Sequence, residues 1–336
     1  MNDRVSPKLL GKCGLGRHES IMENIPEKTA ADWGNYWQGR AASRAGAALV
    51  GVGIENNADI ETHWMAFFSK QRKTASLLDV ACGAGSVIGM AISAGLNDIS
   101  GVDISSDAIV TLKTAYPLVK AKTGQASALP FEDQSFDVVT SQFGFEYDDA
   151  VKAVKDMARV LKSDGQFHAV CHKRQSVISR EVHSKADVAG QILESDFIEA
   201  AKTVFTIDMT GGEDAEFSTA AQNFSPKQAR VMALAKQSGG LAAHLYQGTQ
   251  TLFENRKAYD LTDITDWLDG MESEIKAFYG RMTGMLNAAL SEADIMAITG
   301  ALHDGGVMCE EVVDIVDTGR GGALGCVISG VKAISV

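Results

Sequence analysis

Leu77-Leu78-Asp79-Val80-Ala81-Cys82-Gly83-Ala84-Gly85-Ser86 is the stretch whose reading decides the fold. An apolar run carrying one acid, Asp79, empties into a turn of small residues, and helical character follows from Val87. That order reads as a buried strand, a tight loop and a helix N-terminus, a layout in which backbone approaches a ligand closely. A second apolar run, Ile99-Ser100-Gly101-Val102-Asp103, ends on an acid able to accept hydrogen bonds from ribose hydroxyls. A glycine-rich turn with a later acid usually suggests a dinucleotide site. Here the turn is Ala-x-Gly-x-Gly rather than Gly-x-Gly-x-x-Gly, and an acid precedes it inside the strand. Such an acid suits a cationic ammonium or sulfonium ligand better than a pyrophosphate.

These residues resemble the nucleotide-binding motif of class I S-adenosylmethionine (SAM) methyltransferases, and the resemblance continues in order. Gly124-Gln125-Ala126-Ser127-Ala128-Leu129-Pro130-Phe131 is similar to the adenine-contacting segment of the small-molecule branch, as in ubiquinone/menaquinone-type methyltransferases. Ser135-Phe136-Asp137-Val138-Val139-Thr140-Ser141-Gln142-Phe143-Gly144 resembles the fourth strand and its active-site exit, and Arg159-Val160-Leu161-Lys162-Ser163-Asp164-Gly165 the turn into the fifth.

The resemblance implies SAM as methyl donor. It implies that Asp79 helps to hold the SAM amino group, that Gly83 and Gly85 let backbone come close, and that Asp103 takes the ribose. Ile104 would pack on the adenine, and Ala126 would offer its N–H. Ala81 stands where glycine is commoner, and Gln125 where an acid is usual; an amide oxygen can still accept from the adenine amino group. Ser141 and Gln142 would lie beneath the sulfonium. Upstream, Trp33, Tyr36, Trp37 and Arg40 would close over SAM, with Arg40 meeting its carboxylate. Several of these also have a purely structural reading: Asp79 as a turn cap, Leu129 as loop core, Arg40 as a solvated arginine on a packing helix. Cys82 reads as a small apolar filler, not a nucleophile.

At 336 residues the chain predicts one large domain with an insertion, or two domains. Hydrophobic and charged contents of 45% and 22% are ordinary for a globular protein. A net charge of −12 disfavours a nucleic-acid partner, whose phosphates need lysine and arginine. Cys13, Cys82, Cys171, Cys309 and Cys326 form no close pair, so neither a disulfide framework nor a metal site is expected, and a cytoplasmic setting is. No apolar run reaches the ~18–20 residues of a membrane span, and the first residues lack a signal-peptide core. Oligomerisation is left open.

Strands are expected near 76–81, 98–103, 119–123, 136–140 and 166–171, and helices near 86–95, 106–116 and 149–162. Ile60, Trp64, Phe67 and Phe68 lie on one face of an earlier helix. Val307–Val316 and Ala323–Ala333 flank Thr318-Gly319-Arg320-Gly321-Gly322 as a hairpin, matching the antiparallel sixth and seventh strands of the methyltransferases. The resulting expectation is a doubly wound α/β fold with a mostly parallel seven-stranded sheet whose last strand is antiparallel. Residues 1–25 read as a flexible N-terminus and 26–70 as a helical cap. Residues 71–194 and 291–336 read as the SAM-binding Rossmann-like core. The surplus at 195–290 reads as a helical lid, because it leaves the carboxyl edge of the sheet. Pro226 is expected to start a helix there, with Gly239-Gly240, Gly270, Gly280 and Gly284 as breaks.

The expected reaction is in-line methyl transfer to a small, partly apolar molecule. Positioning supplies most of the catalysis. Candidate bases are Glu146, Tyr147, His168 and His172. His172 and Tyr147 are preferred, His172 because it ends a strand at the ligand edge and an ordinary imidazole titrates near neutrality. His168, mid-strand, reads as a core histidine, and Glu146 as a helix-terminus acid. Ser-Gln-Phe-Gly at 141–144 lacks the Asn/Asp-Pro-Pro-Tyr/Phe pattern of base-methylating enzymes. An aminopropyl transferase and a SAM-binding assembly or regulatory protein without catalysis are the rivals.

Overall fold

The computed structural model describes residues 57–334. Trp33, Tyr36, Trp37 and Arg40, with residues 1–25 and most of the segment expected to form a cap, lie outside the described residues. Seven strands form one sheet: β1 (Ser76–Val80), β2 (Asp98–Asp103), β3 (Lys120–Thr123), β4 (Phe136–Gln142), β5 (Leu161–Cys171), β6 (Val307–Val316) and β7 (Ala323–Lys332). Their order is β3-β2-β1-β4-β5-β7-β6. Pairing is parallel from β3 through β5, and β7 pairs antiparallel with both β5 and β6. The hairpin therefore makes β6 and β7 antiparallel to each other, and only β7 runs against the rest of the sheet.

Helices cover both faces. On one face pack α1 (Ala58–Ser69), α2 (Ser86–Ser93) and α3 (Ser106–Ala115), whose Trp64, Phe68, Ile88 and Leu112 share a core with Leu77 and Val138. On the other, α4 (Ala150–Val160) packs against Val139 and Phe167. Local chemistry sets the helix starts. Asn57, Ser105 and Asp149 each accept a hydrogen bond from a first-turn N–H of α1, α3 and α4.

β5 begins at Leu161, five residues before the expected start. Asp164, at φ 63°, and Gly165 form a bulge against β4 rather than a turn that ends pairing, and the register jumps between Phe136 and Val138. Between β5 and β6 lie α5 (Val177–Glu194), α6 (Phe197–Thr210), α7 (Asp214–Ser238), α8 (Gly240–Asn255), α9 (Leu261–Ala288) and α10 (Glu292–Asp304). α5 to α9 build a third core, with Phe197, Phe205, Phe224, Leu245 and Leu268 buried together. α10 returns to the face of α4.

Two expectations in this segment are overturned. Pro226 lies inside α7, not at its start. A mid-helix proline costs about 3 kcal/mol, and burial of Phe224, Val231 and Leu234 on the same helix offsets it. Gly270, Gly280 and Gly284 lie within α9 and break nothing, because Ile264, Leu268, Met271, Ile275 and Met282 anchor it along its length. Gly239, at φ 63°, does separate α7 from α8. No described helix is long and apolar enough to cross a membrane.

α1 is held on the sheet by aromatic and polar contacts together. Trp64 is fully buried, stacks on Phe68 with ring centroids 5.4 Å apart, and donates its indole N–H to Gln142 Oε1. His168 stacks on Phe67 at 4.0 Å, and its Nε2 lies 2.8 Å from His63 Nε2. Burial lowers the His168 pKa to about 3, so the ring is a neutral part of the core.

Candidate active site

The first loop is built from left-handed backbone. Ala81, Gly83 and Gly85 have φ of 55°, 52° and 92°. Only glycine takes this region without strain, so Ala81 is strained where the two glycines are not. Ala81 meets the loop after β4: a Cβ added at Gly144 would sit 2.3 Å from the Ala81 Cβ. The methyl missing at 144 makes room for the one present at 81. Phe143, at φ 50°, is a second strained residue at this exit.

Asp103, at the carboxyl end of β2, locks this loop to the next helix. Its Oδ2 accepts from Gly83 N and its Oδ1 from Ser105 N, both at 2.9 Å. A carboxylate has about four acceptor sites, so each oxygen keeps a lone pair for a further donor. Asp79, on β1, is buried and accepts from Thr140 Oγ1 at 2.8 Å. Burial raises its pKa to about 7, against the Thr140 hydrogen bond and with help from the nearby Asp103 charge. Asp103 is also raised, mainly by burial. Among the described residues no ion pair reaches either acid. Two buried carboxyls near each other without a cation form an uncompensated acidic site.

Beside it, Ile104 is half-buried and Gln125 exposed, with Gln125 bridging to Ala128 across a short loop. Gly124 N donates to Asp103 O, so this loop starts where β2 ends. Leu129 is buried in the core under α4, which favours its reading as loop core. A clamp that sequence reading missed fixes the loop: Asp156 accepts from Leu129 N, and Arg159 reaches Asp156, Asp133, Phe131 O and Leu129 O. The spacing Asp156-x-x-Arg159 on one helix face was its signal. Ser141 is buried and its Oγ lies 3.4 Å from Phe145 N, while the Gln142 side chain turns to Trp64. Cys82 is buried and its thiol pushed well up by burial, in keeping with a filler.

Past the β4 exit, a short 3₁₀ turn (Phe145–Tyr147) faces the end of β5. The His172 ring stacks on Phe143 at 4.3 Å, and its Nε2 lies 3.3 Å from Tyr147 Oη. The expectation that His172 titrates near neutrality is overturned: burial lowers its pKa to about 3. Glu146 does not serve a helix terminus. Its Oε1 accepts from His172 N at 2.9 Å, and burial raises its pKa to about 7. The helical segment comes back to this point, with Leu290 N donating to His172 O and Arg174 Nε to Ala289 O. Ile178, Ser179 and Val182 of α5 and Met285, Leu286 and Ala289 at the end of α9 meet at His172, with no room for a water molecule between them.

The family model described as "Methyltransferase domain" matches residues 78–169, from β1 to β5. An uncharacterized methyltransferase, YcgJ, of Bacillus subtilis is 34% identical over 102 residues, 29% of this chain and 40% of that protein. A demethylmenaquinone methyltransferase of Chlorobaculum parvum is 29% identical over 125 residues, 35% of this chain and 49% of that protein. The chain thus spans less than half the length of these relatives. A chain of the solved complex between the Haloferax volcanii Trm112 methyltransferase activator and the putative methyltransferase aligns over 91% of this chain and 98% of its own, with 12% identity and a TM-score of 0.47. With the matched segment lying on β1 to β5 and the strands ordered β3-β2-β1-β4-β5-β7-β6, this chain has the fold of the class I SAM-dependent methyltransferases.

Proposed function

We propose that the chain is a SAM-dependent methyltransferase acting on a small, partly apolar molecule in the cytoplasm. The observation that carries the SAM site is the uncompensated acidic pair, Asp79 and Asp103, beneath a loop whose backbone admits close approach. A ligand bearing ammonium and sulfonium charges and a diol suits these two acceptors. Asp103 accepts from the ribose hydroxyls, and Asp79 faces the amino group. Ala81, Gly83 and Gly85 line the approach, Ile104, Gln125 and Ala126 take the adenine, and Ser141 with the backbone of Gln142, whose side chain turns to Trp64, closes the floor. Bound SAM supplies an electrophilic methyl group.

The rest of the work belongs to the chain's own residues. His172 and Tyr147 hold the acceptor by stacking and hydrogen bonding, and the neighbouring apolar side chains Ile178, Val182, Met285 and Leu286 meet its apolar part. Residues 195–290 act as a lid that excludes water. Support for that role is their return to His172 through Leu290.

Release of S-adenosylhomocysteine from a panel of amines, phenols and thioethers tests the activity. A chain that binds SAM but releases none on any acceptor is a binding protein instead.

SAM affinity should depend on pH in a definite direction. With Asp79 at about 7, the acid is part-protonated at neutrality, and a cationic ligand selects the ionised form. Affinity therefore falls as pH drops, by up to about tenfold per unit below pH 7, and levels off above about pH 8. Calorimetric titrations across that range should show the slope in the parent chain and a flatter profile in Asp79→Asn. An equal slope in both would remove Asp79 from the site.

A further inference from the structure

Among the described residues two buried side-chain atoms lack a hydrogen-bond partner, and one of them is Glu146 Oε2. The second, Gln250 Nε2, belongs to α8. Glu146 is 5% exposed, and its other oxygen is engaged by the His172 N–H. A buried carboxyl oxygen without a donor is costly unless something arrives to use it. Its position gives it a use. The turn Phe145–Tyr147 follows the exit of β4 and carries Tyr147, whose Oη lies 3.3 Å from His172 Nε2.

We propose that Glu146 is the proton acceptor of this site and that the methylated molecule carries a protic nucleophile, an amine N–H or a hydroxyl, on an apolar body. The inference rests on the methyltransferase reading above. Methyl transfer removes one positive charge from the donor sulfur, which keeps the electron pair of its broken S–C bond. The acceptor forms its new bond to carbon with a lone pair and must then lose its proton. The N–H or O–H bond breaks, its electron pair stays on the acceptor, and the proton forms a bond to Oε2 before passing to solvent. His172 is unsuited to this step, because burial holds it neutral with little basicity. Burial makes Glu146 a stronger base than an ordinary carboxylate, partly opposed by the backbone N–H groups of His172, Glu146 and Gly144. The titratable groups around it are Cys171, whose thiol its charge pushes up, His172 and Tyr147. No charged side chain of α4 or α9, the helices packed on this turn, figures in its shift.

The test has two arms on the full chain. In the first, the protein carrying ¹³C-carboxyl glutamate is titrated without ligand, with Glu146→Gln as the assignment. One resonance with a midpoint near pH 7, missing from the variant, is expected; a Glu146 midpoint in the ordinary carboxylate range overturns the proposal. In the second, labelled SAM is presented with the amine, phenol and thioether panel. On protic acceptors, Glu146→Gln should lower kcat by about 10²–10⁴-fold and abolish the alkaline rise of the pH profile, with SAM affinity by calorimetry unchanged. A loss under about threefold, or a preference for thioethers, overturns the role of Glu146 while leaving the methyltransferase reading intact. If SAM binds and no acceptor on the panel is methylated, both readings fall together.

Discussion

Asp103→Ala is expected to weaken SAM binding by about ten- to more than a hundredfold, the equivalent of ~1.5–3 kcal/mol for hydrogen bonds to a charged acceptor. Two effects act in the same direction. The ribose hydroxyls lose their acceptor, and the N–H groups of Gly83 and Ser105 lose theirs, so the loop after β1 and the start of α3 are no longer tied. Asp103→Asn does not rescue the second effect. An amide turned to keep one of these bonds points its NH₂ at the other backbone donor. Both variants should therefore bind poorly, with the alanine variant weaker. Calorimetry reads the affinity, and a thermal melt shows that the sheet persists. Unchanged affinity in both variants would remove Asp103 from the ribose site.

Trp64→Ala should destabilise the fold by about 3–5 kcal/mol, the range for deleting a large buried aromatic. Trp64 is fully enclosed between Phe68, Phe67 and His168, and its truncation leaves a cavity between α1 and the sheet. It also strips the Gln142 carboxamide of its indole donor, beside the exit of β4. Trp64→Phe keeps most of the ring volume and loses the hydrogen bond, so a smaller loss of about 1–2 kcal/mol is expected. Urea denaturation of the three proteins measures the series. An alanine variant within about 1 kcal/mol of the parent would mean that α1 does not dock as described.

What the sequence made legible was local. The run from Leu77 to Ser86 announces its strand, loop and helix through three features adjacent in the chain, and Asp103 ends the next strand by the same logic. The last hairpin was readable because Gly319, Gly321 and Gly322 sit between two β-rich runs. The readings that failed depend on distant partners. Pro226 and the glycines of α9 look like breaks until the third core supplies burial stronger than their helix penalties. The turn signal at Asp164-Gly165 became a bulge because β4 continues to pair past it. His172 follows the end of β5 as its spacing suggests, but its basicity was read from the free side chain, and burial between Phe143, Tyr147 and the side chains of α5 and α9 is invisible in the chain. The helix-terminus reading of Glu146 failed for the same reason. Glu146 Oε1 accepts from a backbone N–H twenty-six residues away, just past β5. The Gly144–Ala81 contact likewise joins two loops that only the β1–β4 pairing brings together.

A crystal structure grown with S-adenosylhomocysteine tests the central claim most directly. The account predicts the adenosine at the carboxyl ends of β1, β2 and β4, its ribose hydroxyls on the Asp103 carboxylate, its adenine between Ile104 and the Gln125-Ala126 segment, and its amino group facing Asp79. Density for the nucleoside elsewhere on the chain, or with Asp103 still bound only to Gly83 and Ser105, would contradict it.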